Sequence, residues 1–507
     1  MTHVTERSER ETGRGAVQDP PGMEKDDRAG AKKNGREKPP RGALPRGPHS
    51  LTRAEVSANQ RRRMIEATID VVAEKGYAEL TVADIIARAG VSRRAFYEHF
   101  ANREACFLAA HDAVMAESAA ALRQMLTISG DFEQSVQVGL REIYKRALRR
   151  PGALRLLMVE IGTAGPAGIA RREQLGAAYE QALRERIGLP PGPGPIPNPV
   201  LRGIVGGLGA VLFARIDQPR RRRQLLQEVP DLVRWATSYW PAPPAIMNLQ
   251  DPGPETLRRH PNGGRAPGTL SLGAATSHRR RLVGGESGAS PLYVAHSQRE
   301  RILDAVATLT AAHGYAALTV EGIAAEAAIS LQAFYEHFPS KEEAFLVAYE
   351  VGHDKGLALV ERAYEDEPDW RFGVRAAIAA LFDFLACEPA FAHMALVDAA
   401  AATSRVSERA GRGLSSYAQT LLSGFERAPD GVRPPAIAIE AITGGLFELC
   451  LHHALQRRMR ELPLLLARAT YFALAPFIGA DAAGAIAISS GASDPGSATG
   501  AAPSGGR

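Results

Sequence analysis

Apolar residues at Ile65, Ile69 and Val72 follow an i, i+4, i+7 rhythm that predicts a helix, and Gly76 supplies its stop. Behind Thr81, a candidate cap, Val82, Ile85, Ile86 and Ala89 form the stripe of a short second helix. Gly90-Val91 then predicts a tight turn, and Ser92 is placed to cap a third helix through Arg93, Arg94, Ala95, Phe96, Tyr97 and Glu98. Further helical stretches are predicted at Phe132 to Arg149, Leu154 to Ile161, Arg171 to Ile187 and Val200 to Ile216. The expected fold class is all-α.

The same pattern returns at a constant offset of 238 residues, carrying Gly76 to Gly314 and Tyr97 to Tyr335. Ile302, Val306 and Leu309 repeat the first stripe, and Thr319, Val320, Ile323, Ala324 and Ala327 repeat the second. The register survives at Pro151 and Pro389, at Tyr179 and Tyr417, and at Gly206-Gly207-Leu208 and Gly444-Gly445-Leu446. A register held that far reads as tandem duplication, each copy having the size of a domain. The modules are placed at 53–240 and 296–480. Residues 1–52, 241–295 and 481–507 are rich in Gly, Pro, Ser or charge, and are expected to be a disordered tail, linker and tail.

Composition adds little. The 507 residues are 45% hydrophobic and 23% charged, with a formal net charge of +5, compatible with a polyanionic partner. Lys32, Lys33, Arg36, Lys38, Arg41, Arg46 and Arg279-Arg280-Arg281 read as solvated runs that can also graze phosphates. Cys106, Cys387 and Cys450 are widely spaced among apolar neighbours and read as small buried hydrophobes in a reducing cytoplasm. The most apolar stretch, Leu462 to Ile488, is interrupted by Arg468, Pro476 and Asp481, which favours a core helix over a membrane span. No G-x-S-x-G, H-E-x-x-H or P-loop pattern is present, so no enzyme is expected, nor any cofactor or metal. His452 and His453 are adjacent, which on a helix points them about 100° apart and makes a poor chelate.

Two short helices joined by a glycine turn make a helix-turn-helix, whose second helix presents its N-terminal residues to the major groove. That helix begins here with two arginines, the residue type that pairs bidentately with guanine. The run T-V-x-x-I-x-x-x-A-G-V-S-x-x-A-F-Y-x-H-F-x-x-[RK]-E resembles the TetR family of bacterial repressors. It occurs in copy one, with Arg103-Glu104 at its end, and again in copy two, with Ser330, Phe334-Tyr335, Phe338 and Lys341-Glu342. The resemblance covers about 58–118 and 296–356, with the helix-turn-helix at 81–100 and 319–338.

It implies two tandem modules, each an N-terminal three-helix DNA-binding domain followed by a helical regulatory and dimerisation body. Double-stranded operator DNA is the implied partner, and a small hydrophobic effector held in the body would release it, as in a repressor. DNA contact falls to Thr81, Ser92, Arg93, Arg94, Tyr97, His99 and Arg103 in copy one. In copy two it falls to Thr319, Ser330, Leu331, Gln332, Tyr335, His337 and Lys341. Phe96, Phe100, Phe334 and Phe338 are expected in the core. The bodies offer no effector residues by sequence: Phe372, Phe382, Phe384, Phe391, Met394 and Phe425 serve a pocket or plain packing equally well. Pairing helices are expected at 199–217 with 220–240 and at 435–458 with 461–478, giving an intramolecular pseudo-dimer or a homodimer. Copy two departs at the turn, where Ala328 replaces Gly90, so that turn is either strained or differently shaped. A DNA-binding scaffold in which copy two serves only dimerisation is the alternative.

Overall fold

The computed structural model describes residues 52–126, 131–188, 194–218, 221–249, 291–399, 402–426 and 436–489, and its elements there are helices joined by turns. The basic runs at 32–46 and 279–281 lie outside the described residues.

In the first module α1 (Arg53–Lys75), α2 (Val82–Ala89) and α3 (Arg93–His99) form the head. Helix α1 opens on a capping box: Thr52 Oγ1 accepts from the Glu55 N–H at 3.2 Å, and the Glu55 carboxylate accepts from the Thr52 N–H at 2.7 Å. It closes at Gly76, whose φ of +80° suits a residue without a Cβ. Met64, Val72, Leu80, Ile85, Phe96 and Phe107 are buried together beneath the three helices. The body is α4 (Arg103–Leu126), α5 (Phe132–Arg149), α6 (Pro151–Met158), α7 (Gly165–Gly188), α8 (Asn198–Asp217) and α9 (Val229–Thr237), followed by the short α10 (Pro244–Met247). Asp131 caps α5 by accepting from the Gln134 N–H at 2.7 Å, and Pro151 starts α6 where its missing N–H costs nothing.

The second module repeats this order as α11 (Pro291–His313), α12 (Val320–Glu326), α13 (Leu331–His337), α14 (Lys341–Glu365), α15 (Trp370–Cys387), α16 (Pro389–His393), α17 (Ser404–Glu426), α18 (Ala436–Leu455) and α19 (Leu466–Ile478). A further helix, α20 (Ala480–Ile488), packs on α19 and α10, with Gly484 against Pro243 and Ile246. This moves three boundaries. Residues 241–249 and 291–295 belong to structure rather than linker, and 481–489 continue the second module rather than begin a tail. Their own apolar residues explain it: Ile246, Ala483, Ile486 and Ala487 are buried. The expected pairing helix at 220–240 is also shorter, because 221–227 form turns and the helix starts at Val229.

The modules meet across α8 and α18, which cross at glycines. A Cβ on Gly207 would lie 2.3 Å from the Ala441 carbonyl oxygen, and one on Gly445 would lie 2.4 Å from that of Gly203. A Cβ on Gly206 would meet Glu448, and one on Gly444 would meet Ala210. Each contact is the register partner of the other, the self-complementary pattern of a two-fold interface within one chain. Beside the crossing, Tyr239 of the first module stacks on Phe472 of the second at 5.3 Å, and Tyr471 Oη donates to the Tyr239 carbonyl at 2.6 Å. Burying each such side chain contributes about 1.5–3 kcal/mol. Asn198–Ile216 and Met459–Ile478 are long and apolar enough to cross a membrane. Here their apolar faces are spent on this packing, and Arg468 is buried with its guanidinium donating to the Leu249 carbonyl.

A buried carboxylate of each body reaches its head at matching positions. Glu160 accepts from the Tyr77 N–H at 2.8 Å and from Arg155 Nε at 2.9 Å. Its register partner Asp398 accepts from the Tyr315 N–H at 3.2 Å, and burial pushes its carboxyl up to about 7.

The glycine crossing generates a prediction. Gly445→Leu is expected to destabilise the chain by about 2–3 kcal/mol, since the new side chain meets the Phe472 ring and a backbone carbonyl. Gly411→Ala on exposed helix surface, where a Cβ meets nothing, should instead stabilise by about 0.5–1 kcal/mol. Urea denaturation of both variants checks the pair; equal effects would remove the argument from close approach.

Candidate functional site

The turn between α2 and α3 sets the geometry of the head. Gly90 sits at φ 60°, ψ 44°, in the left-handed region, and its N–H bonds back to Ala87 while that of Val91 bonds to Ile86. Ala328 occupies the same region at φ 52°, with its N–H on Ala325 and that of Ile329 on Ala324. The second turn therefore keeps the shape of the first and carries the strain of a Cβ. Past each turn a serine starts the next helix: Ser92 Oγ accepts from the Ala95 N–H and Ser330 Oγ from the Ala333 N–H, both at 3.1 Å.

Helix α3 buries Phe96 and turns Arg93, Arg94 and Tyr97 outward. The Arg94 side chain is 91% exposed, paired at 3.0 Å with Glu98, and Tyr97 is 49% exposed with the Arg93 guanidinium 5.9 Å from its ring centre. An exposed ion pair of this kind contributes little, so Arg94 is readily recruited by another acceptor. In α13 the same face carries Leu331 at 44%, Tyr335 at 57% and Gln332, whose side-chain amide reaches Glu336 at 3.2 Å. Thr81 and Thr319 are exposed at the starts of α2 and α12, each capping its own helix: Asp84 N–H lies 3.2 Å from Thr81 Oγ1, and Gly322 N–H 3.0 Å from Thr319 Oγ1. His99 and His337 are half-buried at the ends of the reading helices, and His337 Nε2 lies 3.4 Å from Gln298 Oε1. Burial pushes the His337 imidazole below its usual range, which favours the neutral ring at that position.

Two expected contacts are occupied elsewhere. Arg103 Nη1 donates to the Leu80 carbonyl at 2.6 Å, with the guanidinium 5.3 Å from the Tyr77 ring centre. Lys341 Nζ likewise donates to the Leu318 carbonyl at 2.7 Å and lies 5.1 Å from the Tyr315 ring centre. Both cations clamp the loop before the second helix, a role inside the head that the sequence did not suggest. The sequence reading also passed over Arg63 and Arg301. Each lies under the turn and donates to carbonyls there, Arg63 Nη2 to Gly90 at 3.0 Å and Arg301 Nη1 to Ala327 at 2.9 Å. Their common offset was the signal available.

The body of the first module holds a cavity of about 140 Å³. Phe132, Leu140, Leu154, Leu183, Leu212 and Trp240 supply part of its apolar wall; Arg172, Glu173, Glu180, Arg202 and Glu448 line its polar end. None of the large apolar residues singled out in the second body borders it: Phe382, Phe384, Phe391 and Met394 are buried in packing, Phe372 is half-buried, and the side chain of Phe425 lies outside the described residues.

The profile for bacterial regulatory proteins of the tetR family matches residues 64–110 and 302–348. Two stretches of the chain, one in each module, thus match the N-terminal domain of that family. It is similar to the HTH-type transcriptional activator FasR of Mycolicibacterium smegmatis, with 33% identity over 88 residues, 17% of this chain and 40% of that protein. The chain thus spans well under half of that relative. The fatty acid degradation regulator FadR from Bacillus halodurans aligns over 34% of this chain and 97% of its own at 18% identity and a TM-score of 0.33.

The strained turn carries its own test. Ala328→Gly is expected to stabilise the second head by roughly 1 kcal/mol, because glycine adopts the left-handed conformation without the Cβ cost. Thermal denaturation of the full chain reads it, and a lowered midpoint would contradict the strain.

Proposed function

We propose that this chain is a DNA-binding transcriptional regulator that carries both reading heads of an operator-binding unit in one polypeptide. The observation that carries the reading is the pair of exposed recognition faces, Arg93-Arg94-Tyr97 and Leu331-Gln332-Tyr335, on two heads of the same construction. Arginine at the start of a recognition helix suits guanine O6 and N7, and glutamine suits adenine, while Leu331 offers apolar contact to a thymine methyl. The two half-sites should therefore differ, giving an imperfect palindrome.

Regulation would run through the first-module cavity, where a small effector releases the operator in the manner of a repressor. The relative FasR is named an activator, which favours a second reading in which the occupied site recruits transcription. A reporter fused to the bound promoter separates the two by the sign of its change when the gene is deleted.

Arg93→Ala or Arg94→Ala is expected to cost about 1–3 kcal/mol of specific binding, roughly 5- to 150-fold in Kd, and to relax preference at one base pair. Footprinting and gel shifts on the DNA flanking the coding region measure this. Wild-type affinity in both variants at physiological salt would overturn the assignment. Internal pairing further predicts a particle of 54.2 kDa by light scattering. A stable particle of twice that mass, lost when α8 or α18 is mutated, would favour pairing between chains.

A further inference from the structure

The charged end of the first-module cavity is built from both copies. Arg172 Nη2 lies 2.6 Å from Glu448 Oε2, and Glu448 belongs to the second module. Arg202 Nε lies 2.8 Å from Glu180 Oε1 and its Nη1 3.4 Å from Glu173 Oε2, while His452 of the second module places Nδ1 2.9 Å from the same Glu173 oxygen. The lining thus sets three carboxylates, Glu173, Glu180 and Glu448, against two guanidinium groups, Arg172 and Arg202. All five side chains are largely withdrawn from water, so the imbalance is not screened as it would be on the surface. Burial raises the Glu180 carboxyl above its usual range even with Arg202 against it, which fits a carboxylate short of positive charge.

The second body has no counterpart. At the register positions of Arg172, Glu173, Glu180 and Arg202 stand Ala410, Gly411, Ala418 and Glu440, and Glu440 is instead bound by Arg215 at 2.6 Å. Phe447 stands where Gly209 borders the first cavity, and Phe382 where Tyr144 does. The duplicated scaffold has kept the helices and dropped the charges.

We infer that the chain holds one effector site, in the first module only, that takes a small lipophilic cation and is completed by Glu448 of the second module. The apolar wall receives the body of the ligand, and the carboxylates receive an ammonium group. A cavity of about 140 Å³ is close to the ~150 Å³ apolar cavity that holds benzene, so a single ring with a short arm matches it. Tyr144, Tyr179 and Trp240 in the wall add faces on which a cation is favoured. Because Glu448 comes from the other copy, an occupied site strengthens a contact between modules and so reports on how the two heads are held. This inference rests on the cavity being the effector site.

The test is calorimetry on the full chain with phenylbutylamine, phenylbutanol and phenylbutyrate, which share one apolar body and differ in head charge. The amine is expected to bind about tenfold or more tighter than the alcohol, the acid weakest, with one molecule per chain. Glu180→Gln should reduce the preference for the amine, and Glu448→Gln, which leaves Arg172 without its carboxylate, should shift preference toward the acid. Both changes keep shape, and the thermal midpoint without ligand confirms that the fold is retained. Equal binding of amine and alcohol, tighter binding of the acid, or two molecules per chain would overturn the inference while leaving the effector cavity standing. Failure of all three to bind would overturn both.

Discussion

Two helices crossing at bare backbone fix the relation between the copies. Where α8 meets α18, carbonyl oxygens lie where Cβ atoms on Gly207 and Gly445 would have to be, while Gly206 and Gly444 make room for Glu448 and Ala210 and Gly203 for the Phe472 ring. Such an approach gains dispersion contacts along its whole length, and it tolerates neither sliding nor added volume. Arg215 reaches across to Glu440 and Arg172 to Glu448 on either side of the crossing. The separation of the heads, the stacking of Tyr239 on Phe472 and the completion of the cavity by Glu448 all follow from that contact.

Duplication explains which interactions recur. Arg171 with Asp112 and Arg409 with Glu350 are the same ion pair 238 residues apart, and so are the arginine bonds under the turns at Arg63 and Arg301. These hold a helix end or join two helices that every copy needs. The copies differ on the exposed face of the third helix, Arg93-Arg94 against Leu331-Gln332, and at the cavity end, charged in the first and Ala410, Gly411 and Ala418 in the second. Ala328 belongs to neither group. It keeps the turn at a cost of about 1 kcal/mol, small beside the total stability of a domain and therefore tolerable.

The local rules were legible in the sequence because they act within a few residues. Thr81, Ser92, Gly76 and Gly90 declare caps and turns by chemistry that needs no tertiary partner, and the structure has them in those places. Arg103 and Lys341 were legible as cations and not as clamps, since their acceptors, Leu80 and Leu318, lie 23 residues back in the chain. The cavity was illegible for the same reason on a larger scale: its polar end joins Arg172 to Glu448, 276 residues apart. Helix α20 was missed because its Ala- and Gly-rich sequence resembles the tail that follows it, and only burial against Pro243 and Ile246 distinguishes the two.

Cavity and head are joined by a short physical path in the first module. Helix α6 gives Leu154, Leu157 and Met158 to the cavity wall, and two residues further on Glu160 holds the Tyr77 N–H at the loop that opens the helix-turn-helix. Arg155, on α6 itself, fixes the other carboxylate oxygen at 2.9 Å, so the link to the head is one charge-assisted bond from the Tyr77 N–H to a buried, oriented carboxylate. A displacement of α6 must either carry the head with it or break the Tyr77 bond to a buried carboxylate that Arg155 continues to hold. The head's other contacts with the body are the packing of α1 on α6 and α4 and the partly exposed Glu66–Arg150 pair at 2.7 Å. In the second module the equivalent Asp398 has no arginine at the position of Arg155, where His393 stands, and its carboxyl is pushed up to about 7. A carboxylic acid that is half neutral near pH 7 makes a weaker grip on Tyr315 than Glu160 makes on Tyr77. The firmer grip therefore lies in the module that has the charged cavity and the exposed Arg93-Arg94 pair.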